Sequence, residues 1–245
     1  MPVPSIALPL LLGLSLLLNA CTTRPPDRPP LTVSRHITEV RPKGCQEENC
    51  PLVNLDLEQF PDEPALNRLV DQRLRLMTRY DPADPVPASL AVYEQGFLAS
   101  ARPGWGSWLQ AKLVDWPHDL LVVELSSYLF EGGAHGLPGR GFINYSRHQQ
   151  RALTLQDLLA PGKEGAFWRV VQQAHHDWVS SHHGEERVSF LQQWPFQRTA
   201  NIALRRTGVE LKYDVYSIAP YADGHPDLMI PYNQLQGIIR PEYSD

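Results

Sequence analysis

The stretch that decides the fold is Trp108 to Phe130, WLQAKLVDWPHDLLVVELSSYLF. Its apolar residues recur with period two. Leu109, Ala111, Leu113 and Asp115 alternate with longer polar partners, which is the pattern of a half-buried strand. His118-Asp119 reads as a turn, and Leu120 to Phe130 as a second, strongly apolar strand. Upstream, Val33–Val40 and Leu52–Leu57 read as strands, the latter alternating Val53, Leu55 and Leu57 with Asn54, Asp56 and Glu58. Downstream, residues 142–146, 200–204, 209–218 and 228–230 read the same way.

Helical spacing appears between these runs. Leu66, Leu69, Val70, Leu74 and Met77 keep the three/four interval after Pro64, and a second helix is expected over 89–99. Thr154 reads as the N-cap of a short helix. A longer helix over 165–181 is expected to bury Phe167, Val170, Val171, Ala174 and Trp178, and 232–238 a closing helix. Strands and helices come in blocks rather than as regular βαβ units. The expected fold is therefore α+β, a mainly antiparallel sheet packed against helices in two small subdomains. Their expected bounds are 33–103 and 104–245.

The first 20 residues read differently. An apolar run from Ile6 to Leu18 ends in Asn19-Ala20-Cys21. It is shorter than the roughly 20 residues needed to span a bilayer, and it has the shape of a signal cleaved before Cys21. Residues 1–20 are expected to be a signal peptide and 21–32 a Pro-rich tether. The run resembles the bacterial lipoprotein signal, in which the cysteine is acylated. That resemblance implies attachment to a membrane through Cys21 and residence in the cell envelope, on the periplasmic side of the outer membrane in a Gram-negative cell. In such an oxidising compartment Cys45 and Cys50 are expected to form a structural disulfide. Their four-residue separation suits neither a thioredoxin-type pair nor a zinc ribbon.

Composition excludes some functions. Hydrophobic content of 42% and charged content of 20% are ordinary for a globular protein, and the net charge of −5 supplies no basic field for nucleic acid. No phosphate loop, zinc-protease helix or nucleophile elbow is present. The histidine pairs His175-His176 and His182-His183 lie seven residues apart, about 10 Å along a helix, too far to share one zinc ion. They are read as a solvated polar surface, and neither metal nor cofactor is expected.

Two glycine-rich corners remain. One is Ser127-Tyr128-Leu129-Phe130-Glu131-Gly132-Gly133-Ala134-His135-Gly136. The other is Tyr216-Ser217-Ile218-Ala219-Pro220-Tyr221-Ala222-Asp223-Gly224, leading to Ile230-Pro231-Tyr232. Together with Leu153-Thr154-Leu155-Gln156-Asp157-Leu158-Leu159, and in this order, they resemble the extracytoplasmic domain of the RsiV family of bacterial envelope proteins. Cys50 to Met77 is similar, more weakly, to a small domain found beside peptidoglycan deacetylase modules. The RsiV resemblance implies a binding protein without covalent chemistry, whose partner is lysozyme or a peptidoglycan fragment. The candidate ligand-binding residues are Gly132, Gly133, His135, Pro220, Tyr221 and Asp223. Trp105, Trp108, Trp116, Tyr216 and Tyr221 are candidates for an aromatic platform or for the core. The rival reading is a cell-wall hydrolase or deacetylase that uses His135 and Asp223.

Overall fold

The computed structural model describes residues 30–244. The expected signal, the expected lipidation site Cys21 and most of the expected tether therefore fall outside the described residues. The observed fold is α+β, with a six-stranded mixed sheet and a three-stranded antiparallel sheet. The first sheet contains β1 (Ser34–Val40), β2 (Leu52–Gln59), β3 (Gly106–Asp115), β4 (Leu120–Phe130), β5 (Leu137–Ser146) and β6 (Arg151–Ala152), paired in that order. Every pairing in it is antiparallel except β2 with β3. The crossover between these parallel neighbours contains helices α1 (Pro64–Met77) and α2 (Leu90–Ser100). The boundary expected at 103/104 thus falls between two strands paired in one sheet. The Cys45–Cys50 disulfide closes the turn between β1 and β2.

Alternation sorts the side chains of this sheet. Val53, Leu109, Ala111, Leu121, Val123 and Leu125 are buried beneath Leu66, Val70 and Leu74 of α1. The other face carries Asp56, Gln110, Lys112, Glu124, Trp108 and Tyr128. Register places Asp56 beside Gln110 and Trp108 beside Tyr128. The N-terminus of α1 is clasped to β5 through a buried polar trio. Glu63 accepts from the Arg147 guanidinium at 2.6 Å and from the Tyr145 hydroxyl at 3.2 Å. Burial and the neighbouring Glu63 carboxylate push the Tyr145 phenol up to about 12.

The second sheet comprises β7 (Ile202–Arg205), β8 (Gly208–Lys212) and β9 (Asp227–Pro231). Its apolar face packs on α4 (Glu164–His183), with Phe167 and Val171 against Val209, Leu211 and Ile230. The short helix α3 (Leu155–Leu158) precedes α4, and α5 (Arg187–Gln193) follows it. Thr154 caps α3 as expected; its backbone N–H and hydroxyl both donate to Asp157. The two sheets join where β7 meets β5. Asn144 of β5 donates to the Ile202 carbonyl and accepts from Leu204 N–H, at 2.7 and 2.8 Å. Lys212 also reaches Glu124 of β4 at 2.9 Å and Glu210 at 3.2 Å.

Several expectations are corrected. The strand expected over 209–218 ends at Lys212, because the chain turns at Asp214 and Tyr216. The closing helix over 232–238 is a single 3₁₀ turn at Tyr232–Gln234. Helix α5 and strand β6 add to the expected elements. The buried stripe of α4 is rotated to Phe167, Trp168, Val171, His175 and Val179, leaving Val170, Ala174 and Trp178 only partly buried. His175 is consequently not part of a solvated surface; it is 0% exposed.

Candidate functional site

The two glycine-rich corners meet. The first is the tip of the β4–β5 hairpin, where Gly132 and Gly133 take φ of 88° and 90°, a region costly for other residues. The second is the 3₁₀ turn Tyr221–Asp223, opened by Pro220, whose carbonyl accepts from Asp223 N–H at 3.0 Å. His135 from the first corner stacks on Tyr221 from the second, with centroids 3.8 Å apart and planes 20° apart. The Tyr221 hydroxyl donates to the Gly136 carbonyl at 3.2 Å, which also accepts from His135 Nδ1 at 3.0 Å. That bond places the ring proton on Nδ1 and leaves Nε2 to accept from the Tyr216 hydroxyl at 3.3 Å. Burial, together with the neighbouring Tyr128 and Tyr216, raises Tyr221 above the usual phenol range, so its hydroxyl stays a donor.

The ring cluster continues onto the sheet. Tyr128 of β4 accepts from Gly136 N–H at 3.0 Å, and its ring lies 5.6 Å from that of Trp108 on β3. Only glycine fits at 136, since a Cβ there would stand 2.4 Å from Tyr128 Cζ. Trp108 with Tyr128, and His135 with Tyr221 and Tyr216, thus form a chain of two ring groups joined through the Gly136 backbone. Trp108 and Tyr216 are 36% and 51% exposed at its two ends. Tyr216 has φ of 64°, a left-handed conformation unusual for a bulky residue.

The remaining expected residues separate. Asp223 does not contact His135; its carboxylate lies 3.1 Å from Nε2 of His183, on the last turn of α4. The His183 ring is stacked on Phe190 of α5 at 3.6 Å. Of the other platform candidates, Trp105 lies under Arg102 and Trp116 under Arg147, outside the ring chain. Sequence reading passes over two participants. Tyr128 is signalled by its parity with Glu124 and Ser126 on the outward side of β4. His183 has no local signal, since its link to Asp223 spans forty residues. Among the described residues, no group of three or more histidine, cysteine or acidic side chains converges as a metal site.

The fold and this geometry define an α+β protein of two joined sheets, with an exposed ring cluster where two glycine-rich corners touch. Within that class, the chain belongs to the DUF3298 family, described as a protein of unknown function; the family model matches residues 156–233. It is 52% identical to a DUF3298 family protein from Pseudomonas aeruginosa PAO1 whose crystal structure is known. That match covers 88% of this chain and 97% of the other, with a TM-score of 0.82. A DUF3298 family member from Bacteroides fragilis NCTC 9343 shares the fold at 18% identity, covering 86% of this chain and 94% of that one, with a TM-score of 0.65. No curated protein matches the chain.

Proposed function

We propose that this protein is a lipid-anchored, RsiV-like binding module of the cell envelope that captures a peptidoglycan-derived glycan. The observation that carries the reading is the ring chain from Trp108 to Tyr216. Sugar rings present apolar C–H faces edged by hydroxyls. Aromatic faces with polar tips suit both parts. Asp56, clamped by Arg35 and Gln110, fixes the polar side of the same sheet face, and the Lys112 ammonium and the Gln110 carbonyl beside it are the groups left for hydroxyl and acetamido groups. Glycan capture also fits the export implied by the run ending at Cys21, because it places the protein where such fragments occur. The rival hydrolase reading requires His135 and Asp223 to act together, and Asp223 instead faces His183.

The test is a titration with oligomers of alternating N-acetylglucosamine and N-acetylmuramic acid. Saturable binding that weakens about tenfold in Tyr221→Ala, a loss of about 1.4 kcal/mol, supports the reading. An unsaturable titration rejects the glycan. A lysozyme arm runs beside it, and retention of lysozyme that is lost in Tyr221→Ala reassigns the same surface to a protein ligand. Anchoring is tested separately: palmitate labelling of cells should mark the protein and vanish in Cys21→Ser.

A further inference from the structure

A second concave site lies away from the ring cluster. Between α1, the edge of β5, α3 and the start of α4 is a cleft of about 670 Å³, in the range of small-molecule and peptide sites. Its floor includes Met77, Leu155 and Trp168. Its charged lining is Arg73, Arg140 and Arg198 against the single carboxylate of Glu164, on a chain whose net charge is −5. Arg198 lies over the Trp168 ring at 5.2 Å and touches Glu164 only at 3.3 Å, with its side chain 61% exposed. Arg73 is exposed on the rim.

The backbone adds a more specific demand. On β5, Arg140 N–H points outward to Asp214, and its carbonyl accepts from Asn201 at 2.9 Å. Two positions after Phe142, the Asn144 carbonyl accepts from Leu153 N–H at 2.8 Å. Peptide groups two residues apart on a strand face the same edge. The N–H and C=O of Phe142 therefore also point away from β4, into the gap between Asn201 and Leu153. No bond to either is made across that gap among the described residues. Phe142 itself lines the cleft.

We infer that this cleft binds a short, extended peptide ending in a carboxylate, laid along the β5 edge. The peptide's own amide and carbonyl pair with those of Phe142, as in strand addition. Its apolar side chains cover Met77 and Leu155, and its terminal carboxylate meets Arg73 and Arg198 through charge-assisted bonds. The assignment is independent of the ring cluster, so either site stands or falls alone.

The experiment follows the Phe142 amide resonance of the full-length ¹⁵N-labelled protein. The probes are a pool of N-acetylated tetrapeptides of Ala, Val and Leu with free C-termini and the same pool as C-terminal amides. The acid pool should shift Phe142 N–H saturably, and the amide pool should bind about tenfold more weakly. Arg73→Ala combined with Arg198→Ala should erase that difference, and Met77→Trp, which fills the floor, should block both pools. Equal affinity for acids and amides overturns the inference, as does saturation without movement of Phe142. Should Met77→Trp fail to fold, the exposed arginine pair still decides the question.

Discussion

The two faces of the six-stranded sheet share the same strands and differ in almost everything else. The face beneath α1 is closed: Val53, Leu109, Ala111 and Val123 are at most 1% exposed. The opposite face leaves Trp108 at 36% and carries charged and aromatic side chains in the same register. Because successive residues of a strand point to opposite sides, one stretch of sequence can hold the fold together and present a surface at once. Substitutions on β3 should therefore separate by parity; at the start of β4 they should not, because Leu120 packs on Leu204 and Val122 is fully buried as well.

The largest effect is expected where the closed face includes charge. Glu63→Ala leaves Arg147 and Tyr145 without their shared buried acceptor and should cost about 3–5 kcal/mol in urea unfolding. An effect below about 1 kcal/mol would show that the clasp between α1 and β5 contributes little. Leu109→Ala, on the same face, should cost about 3 kcal/mol through lost transfer energy and a cavity. Its neighbour Trp108→Ala should change stability by about 1 kcal/mol or less, while weakening glycan binding about tenfold. If Trp108→Ala destabilises as strongly as Leu109→Ala, the division between the faces fails.

The core of the other sheet should respond to pH. His175 is fully buried beside Trp178 and Phe196, and neither ring nitrogen has a partner among the described residues. Burial, helped by His176, lowers its pKa to about 4. The unfolded state takes up a proton near the ordinary value of about 6.5, and the folded state resists until about 4. Stability is thus fully present above pH 6.5 and falls as pH drops through that window, by about 3 kcal/mol at most. His175→Phe should flatten this part of the pH–stability profile. A profile unchanged by the substitution would mean that His175 is hydrated or already protonated. The smallest effect is expected at Ile37, 57% exposed on edge strand β1, where Ile37→Thr should shift stability by less than about 0.5 kcal/mol.

The histidines also show where sequence reading stops. Apolar periodicity locates α4 but assigns its stripe to Ala174 and Trp178. The packed helix is turned slightly the other way and takes His175 inside, because the apolar face of β8 and β9 meets Phe167, Trp168 and Val171. Periodicity weighs residue types along one helix and carries no information about the shape of the opposing surface. The same limit hides the partner of Asp223: a carboxylate in one corner gives no local sign of which distant imidazole it will face. By contrast, the two glycine-rich corners are legible in the amino-acid sequence itself, since Gly132, Gly133 and Gly224 mark sharp changes of chain direction whatever surrounds them.

Local chemistry alone established the α+β class, the alternation in β2, β3 and β4, the Thr154 cap and the short Cys45–Cys50 loop. Each depends on residues within a few positions of one another. Tertiary structure decided the parallel pairing of β2 with β3, the burial of His175, the ring chain from Trp108 to Tyr216 and the unpaired edge at Phe142. These are contacts between segments tens of residues apart. Their register is set by how whole faces pack, and no short stretch of the chain encodes that.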